Sequence, residues 1–215
     1  IAEEFTFDNV RLAVAAIARY VGKRNRKNPR LIVGYDTRFL SEEFANVTVD
    51  VLSSCGVASL RCAEATPTPT ISYEIRRRQA DGAINFTASH NPPEYNGLKF
   101  STPDGAPALP QVTRKIEALV AQLARSRRSA PKPRRRAREE TIDPRPPYLE
   151  MMARKIKLEE IRRAGLKIVY DPLYGVGRGY VDRLLRDHGI SVWTVHDHRD
   201  VLFGGHAPEP SEEHL

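Results

Sequence analysis

The alternation of short apolar runs with helical periodicity constrains this 215-residue chain more than any other feature. LIVGYD (Leu31 to Asp36), VASLRCA (Val57 to Ala63) and AINFTA (Ala83 to Ala88) are continuous, short and mostly apolar, the form of strands buried on both faces. Between them the apolar period changes to that of a helix. From Asp8 to Val21 one face carries Val10, Val14, Ile17 and Tyr20 with several alanines, and Asp8 is the expected N-cap. Ser41, Glu42 and Glu43 open a second helix that runs to about Ser54 and is closed by Gly56. A third is expected from about Thr70 to Arg78, after the prolines at 67 and 69. This order predicts an α/β fold with a mixed, mainly parallel sheet flanked by helices. In such a sheet the loops that follow the carboxyl ends of the strands build the site, so Asp36 and the loop after Phe86 should share one edge.

Leu98 to Ser101 reads as another short strand, and Gln111 to Leu123 as another helix. The chain then enters RSRRSAPKPRRRAR (Arg125 to Arg138), which holds eight basic residues and no acid. Without it the 34 basic and 27 acidic residues of the chain become 26 and 27, so the net charge of +7 resides in this one run. Its two prolines and lack of aromatic side chains fit a solvated linker better than a nucleic-acid surface. The division expected is a first domain over 1–127, a basic linker over 128–143, and the start of a second α/β domain over 144–215. That second part should hold a helix from Pro146 to Arg163, a strand at LKIVYD, a helix over GVGRGYVDRLLRDHG and a strand at ISVWTV. One strand-helix-strand unit is too little to cover both faces of a sheet, so the second domain should be incomplete. No stretch approaches the roughly 20 apolar residues of a membrane span. The opening IAEEFTFDNV lacks the pattern of a secretory signal and has no initiator Met, which suggests a piece of a longer chain. Two cysteines, Cys55 and Cys62, outside any zinc-binding spacing, suit a reducing, cytoplasmic setting.

TASHNPPEYNGLKF (Thr87 to Phe100) follows an apolar strand and concentrates a hydroxyl, an imidazole and an ammonium in one loop. Pro92 and Pro93 restrict the backbone and should hold Ser89 out from the strand end as a pre-oriented nucleophile. His90 adjoins it, and Lys99 can return to the same edge after the Asn96-Gly97 turn. An anionic phosphoryl group would suit all three.

The same loop resembles, at nearly every position, the phosphoserine loop of the α-D-phosphohexomutases, the phosphoglucomutase and phosphomannomutase superfamily. Three further segments are similar to the family in the right order: VGYDTRFLSEEF (Val33 to Phe44), IVYDPLYGVG (Ile168 to Gly177) and LFGGHAPEP (Leu202 to Pro210). The resemblance implies interconversion of hexose 1-phosphate and hexose 6-phosphate, of glucose or mannose, through a hexose 1,6-bisphosphate. It implies that Ser89 carries the transferred phosphate and that this phosphate is one ligand of Mg²⁺. His90 would then lie beside the phosphoryl group and the sugar, Lys99 would act as a positive partner or in acid-base work, and Arg38, matching the first-domain arginine near the loop, would join them in the catalytic set. Loose phosphoryl-transfer transition states are stabilised chiefly by cations and by in-line positioning, which gives these residue types their purpose.

The departures are as specific. The family's Thr-Ser-Gly-Trp-Arg-Gly type segment, with its arginine, is not present before the first helix. No Asp-x-Asp-x-Asp metal loop occurs, so the remaining Mg²⁺ ligands are expected beyond Leu215, as are the sugar-selecting and distal phosphate loops. Two other features admit readings outside this family. HDHRD (His196 to Asp200) could be a metal site or simply a polar strand exit, and GVGRG (Gly175 to Gly179) follows a strand as a dinucleotide loop would but lacks the third glycine in register. The competing functional class is a noncatalytic α/β module that binds phosphosugars or nucleic acid.

Overall fold

The computed structural model describes residues 5–23, 27–126 and 137–212. Its first sheet has five strands in the order β4-β3-β1-β2-β5, formed by β1 (Arg30–Tyr35), β2 (Ala58–Cys62), β3 (Ala83–Phe86), β4 (Leu98–Ser101) and β5 (Glu139–Ile142). β1 pairs in parallel with β2 and β3, β2 in parallel with β5, and only β3 and β4 run antiparallel. The sheet is therefore mixed and mainly parallel, with helices on both faces.

Strand pleating sends successive side chains to opposite layers. Leu31, Val33, Tyr35, Ile84 and Phe86 enter the larger core with helices α1 (Phe7–Gly22), α2 (Ser41–Ser54) and α4 (Pro110–Ser126). Ile32, Leu60, Cys62 and Ala83 meet Ile71 and Ile75 of α3 (Thr68–Arg78) on the other face. Each fully buried aliphatic side chain of this kind contributes about 1.5–3 kcal/mol relative to exposure.

Several boundaries differ from the expectation for identifiable reasons. Thr6, not Asp8, caps α1: its extended backbone lets the hydroxyl accept from the Asn9 amide at 3.3 Å, while Asp8 lies in the first turn and pairs with Arg11. α3 begins at Thr68, two residues early, because a proline in the first turn lacks only a donor that the helix does not use there. Gly56 closes α2 as expected, at φ +75°, with the Val57 amide reaching back to the Leu52 carbonyl. Of the stretch expected to be linker, residues 128–136 lie outside the described residues, but Glu139–Ile142 forms the edge strand β5, in register with Ser59–Cys62. Ile142 is its one fully buried side chain, so a strand with two glutamates at its start carries almost no apolar pattern.

The second unit pairs β6 (Ile168–Tyr170) with β7 (Val192–Thr194) in parallel. The single helix expected over 146–163 is two, α5 (Arg145–Lys155) and α6 (Leu158–Arg163), broken where Ile156 turns extended at φ −103°, ψ 137° and packs beside Leu158. The helix expected from Gly175 is confined to α7 (Val181–Asp187), with turns before it. Leu158, Leu184, Leu185 and Ile190 fill the small core on one side of this sheet, whereas Val169 and Trp193, opposite each other in register, are 71% and 74% exposed on the other. Tyr148 joins the two units, edge-to-face with Tyr73 at 5.9 Å and with Tyr180 at 6.1 Å. Among the described residues no helix is long and apolar enough to cross a membrane.

Candidate active site

Two loops meet at the carboxyl edge of the first sheet: the one after β1, bearing Asp36 and Arg38, and the one between β3 and β4, bearing Ser89 and His90. The ladder holds the second loop at its root, where Phe86 opposes Leu98 and the Thr87 amide donates to the Gly97 carbonyl at 2.9 Å. Gly97 lets the backbones approach closely there, since a Cβ would stand 3.0 Å from the Thr87 carbonyl oxygen. Beyond the root the loop makes two turns, with the Asn91 amide on the Ala88 carbonyl and the Tyr95 amide on the Pro92 carbonyl.

Arg38 organises this loop from beneath. Its side chain is fully buried, and all five guanidinium N–H groups are engaged. Nε donates to Asp36 Oδ2 at 3.2 Å. Nη1 donates to the carbonyls of Pro92 at 2.7 Å and Tyr95 at 3.1 Å, and Nη2 to those of Ser89 at 3.0 Å and Asn91 at 2.7 Å. One planar fork thus gathers four carbonyls from a seven-residue stretch, which a compact ammonium could not span. Burial draws the Arg38 pKa down, and the adjacent Asp36 carboxylate opposes that shift. Asp36 also accepts from the Arg38 amide and from Ser41 Oγ, and Ser41 Oγ in turn accepts from Asn96 Nδ2 at 2.9 Å. With its five in-plane donors all spent on Asp36 and on loop carbonyls, Arg38 fixes the backbone of the loop that carries Ser89.

Ser89 stands exposed at the loop tip in a left-handed conformation, φ +59°. The Arg38 bond to its carbonyl and the bond from its amide to Thr87 Oγ1 at 3.1 Å hold the conformation. Such backbone strain costs on the order of 1–3 kcal/mol and persists where surrounding contacts over-determine it. His90 is exposed too, with Nδ1 3.4 Å from Ser89 Oγ. Lys99 lies exposed on β4 opposite Asn85, and among the described residues no hydrogen bond or ion pair links it to Ser89 or His90. The structure thus brings Ser89 and His90 together, while the Lys99 ammonium, at the adjoining strand, has no hydrogen bond or ion pair among the described residues.

A cavity of about 510 Å³ lies farther along the same edge, lined by Asp36 and Glu64 from the first unit and by Arg145, Arg178 and Arg199 from the second. It contains none of Ser89, His90 or Lys99. The Arg178 pKa is drawn down by burial and by Arg199 nearby.

The described residues do not form a Mg²⁺ site by themselves. Mg²⁺ demands near-octahedral oxygen coordination, whereas Ser89 would supply one phosphate, and no group of three His, Cys, Asp or Glu side chains suited to a metal occurs among the described residues. In HDHRD, His196 Nδ1 donates to Asp171 Oδ2 at 2.8 Å, and the imidazole packs at a tilt against the Tyr174 ring. The GVGRG glycines answer to packing: a Cβ on Gly177 would meet the Tyr170 hydroxyl at 2.3 Å, and Gly179 needs φ +71°.

The phosphoglucomutase/phosphomannomutase alpha/beta/alpha domain I matches residues 1–127, and domain II of the same family matches residues 146–215. A phosphoglucomutase/phosphomannomutase of Thermococcus kodakarensis is 33% identical over 203 residues, 93% of this chain and 43% of that protein. A probable phosphoglucosamine mutase of Methanosphaera stadtmanae is 32% identical over 99% of this chain and 45% of its own. Among solved structures, one from Thermus thermophilus, named provisionally as a phosphomannomutase, superposes with a TM-score of 0.88 at 31% identity, covering all of this chain and 47% of its own. The chain spans less than half the length of these relatives.

Proposed function

Because this chain belongs to the phosphoglucomutase/phosphomannomutase family, we propose that it forms the phosphoserine-bearing part of a mutase that interconverts hexose 1-phosphate and hexose 6-phosphate through a hexose 1,6-bisphosphate. The observation that carries the reading is the exposed Ser89 Oγ on a loop whose backbone is fixed from below by a buried, fully engaged arginine. A nucleophile so held needs little further ordering to meet its partner in line.

In the forward half-reaction the phosphorus–Oγ bond of phosphorylated Ser89 breaks as a bond forms from phosphorus to a sugar hydroxyl. The hydroxyl gives up its proton, and the departing Oγ needs a proton or a neighbouring cation. His90 Nδ1, 3.4 Å from Oγ, is placed to exchange that proton, and the Lys99 ammonium is the nearby strand's positive charge. In the second half-reaction, after the bisphosphate reorients, the other phosphoryl group returns to Oγ. The resemblance implies Mg²⁺ on the serine phosphate, where it would offset charge on the phosphoryl oxygens; phosphorylated Ser89 would supply one of its ligands. The names of the relatives span glucose, mannose and glucosamine phosphates, and the proposal covers this class of hexose phosphates. Cys55 and Cys62 are both free thiols, which supports a reducing, cytoplasmic setting.

The test is turnover by the full-length protein with hexose 1-phosphate and catalytic hexose 1,6-bisphosphate. Ser89→Ala should abolish it with an unchanged melting temperature, since the side chain is exposed and not part of either core. Turnover by that variant near the wild-type rate would reject the role of Ser89.

A further inference from the structure

We propose that Phe203 is a positioning residue for the Ser89 loop, acting through Arg38 from the second unit; this rests on reading Ser89 as the phosphoryl acceptor. The five N–H groups of Arg38 lie in the guanidinium plane and each has an acceptor, so only the two faces of the group remain to be covered. The Phe203 ring covers one, with its centroid 5.1 Å from Arg38 Cζ. Both partners are buried, Phe203 at 6% exposure and Arg38 at 0%. An aromatic face is the partner suited to a cation whose in-plane donors are spent, and its attraction grows when water is excluded.

The ring is held in place by its own loop. Asp200 accepts from the amides of Leu202 at 2.8 Å and Gly204 at 2.9 Å, which holds its carboxyl below the usual aspartate range. Phe203 itself takes φ +52°, a left-handed backbone unusual for a bulky side chain. Gly204 follows at φ +72°, where a Cβ would come within 2.9 Å of the Tyr174 ring. Next to the clamp, Arg199 Nε donates to the Thr37 carbonyl at 3.3 Å. The 199–205 segment thus closes over Arg38 from the outside. Water admitted to that face would compete for the donors that hold the carbonyls of Ser89, Asn91, Pro92 and Tyr95, and the loop would loosen although no residue in it had changed.

Amide hydrogen exchange of the full-length protein, read by mass spectrometry on peptides covering 87–97, tests this with Phe203→Ala, Phe203→Leu and Phe203→Tyr. The leucine variant keeps apolar volume without the ring face, and so remains informative if the alanine variant folds poorly. Exchange in 87–97 should rise about tenfold in the leucine and alanine variants, the worth of a partly desolvated cation–π contact. Peptides of β1 and β3 should stay at wild-type protection, and the tyrosine variant should restore the loop. Labelling of Ser89 by hexose 1,6-bisphosphate should slow in the same order. Unchanged loop exchange in the leucine and alanine variants would overturn the proposal, as would a rise shared equally by β1 and β3 or by the tyrosine variant. If the loop responds as expected but wild-type Ser89 accepts no phosphate, the positioning stands and the mutase reading fails.

Discussion

Replacing Arg38 by lysine keeps the charge and removes the fork. Arginine offers five N–H donors to Asp36 and to four carbonyls, whereas an ammonium offers three from a single atom, so at least two acceptors lose their partner. A hydrogen bond from a charged group is worth about 1.5–3 kcal/mol. The loop is near solvent and its freed carbonyls can take water, so the low end applies, giving about 3 kcal/mol for two bonds, or roughly a hundredfold greater population of the open loop. Those two bonds are absent from the unfolded chain as well, so global stability falls by up to about 3 kcal/mol, a drop in melting temperature of roughly 6–12 °C, while Asp36 keeps its bonds from the Arg38 amide and from Ser41 Oγ. Arg38→Lys should therefore slow phosphoryl transfer to Ser89 by up to roughly a hundredfold at temperatures where the protein is still folded. The assay is the rate of Ser89 labelling by hexose 1,6-bisphosphate, taken beside a thermal melt. Labelling at the wild-type rate would show that the clamp is dispensable; loss of rate only in proportion to loss of folded protein would show that it is purely structural.

Other positions give independent tests. Gly82→Ala places a Cβ 2.3 Å from the Ser101 carbonyl oxygen at φ +139°, and should cost about 3 kcal/mol or more in a urea titration. Glu74, fully buried on α3 and bonded to Arg77 and Arg78, should cost about 2 kcal/mol on conversion to alanine, since the two arginines are partly exposed and recover water. Burial pushes the Cys62 thiol up to about 12, so the folded state favours its protonated form. The unfolded chain releases that proton more readily, and stability should fall as pH rises from the ordinary thiol value of 9.0 toward 12, by roughly 1 kcal/mol per pH unit. Titrating stability against pH in wild type and Cys62→Ala separates this contribution, and equal slopes would remove it. At neutral pH the half-buried Cys55 should react with an alkylating reagent before Cys62 does.

The parallel core strands were legible because each is a continuous apolar run between strong helix signals, and the order of those signals dictates the α/β layers. β5 was not, because an edge strand that buries only Ile142 leaves no pattern to read. The break at Ile156 was hidden for a related reason: no proline or glycine marks it, and the small core around Leu158 decides it. At the site, Ser89 and His90 stood out by residue type and loop context. The role of Arg38 did not, since its spacing from Asp36 shows only that the two share a turn. That four carbonyls from residues 89–95 converge on one guanidinium is a property of the folded loop. Phe203 was obscured further, because nothing in LFGGHAPEP shows that its aromatic ring reaches back to a residue 165 positions earlier.

The claim on which the account turns is that Ser89 Oγ is the phosphoryl acceptor. Incubating the full-length protein with hexose 1,6-bisphosphate and mapping the modified peptides by mass spectrometry tests it directly. The account predicts a single phosphate on Ser89, within the peptide that contains TASHNPPEYNGLKF, which is lost again on adding excess hexose 1-phosphate. Phosphate on any other residue with Ser89 bare, or a Ser89 phosphate that hexose phosphate cannot remove, would contradict it.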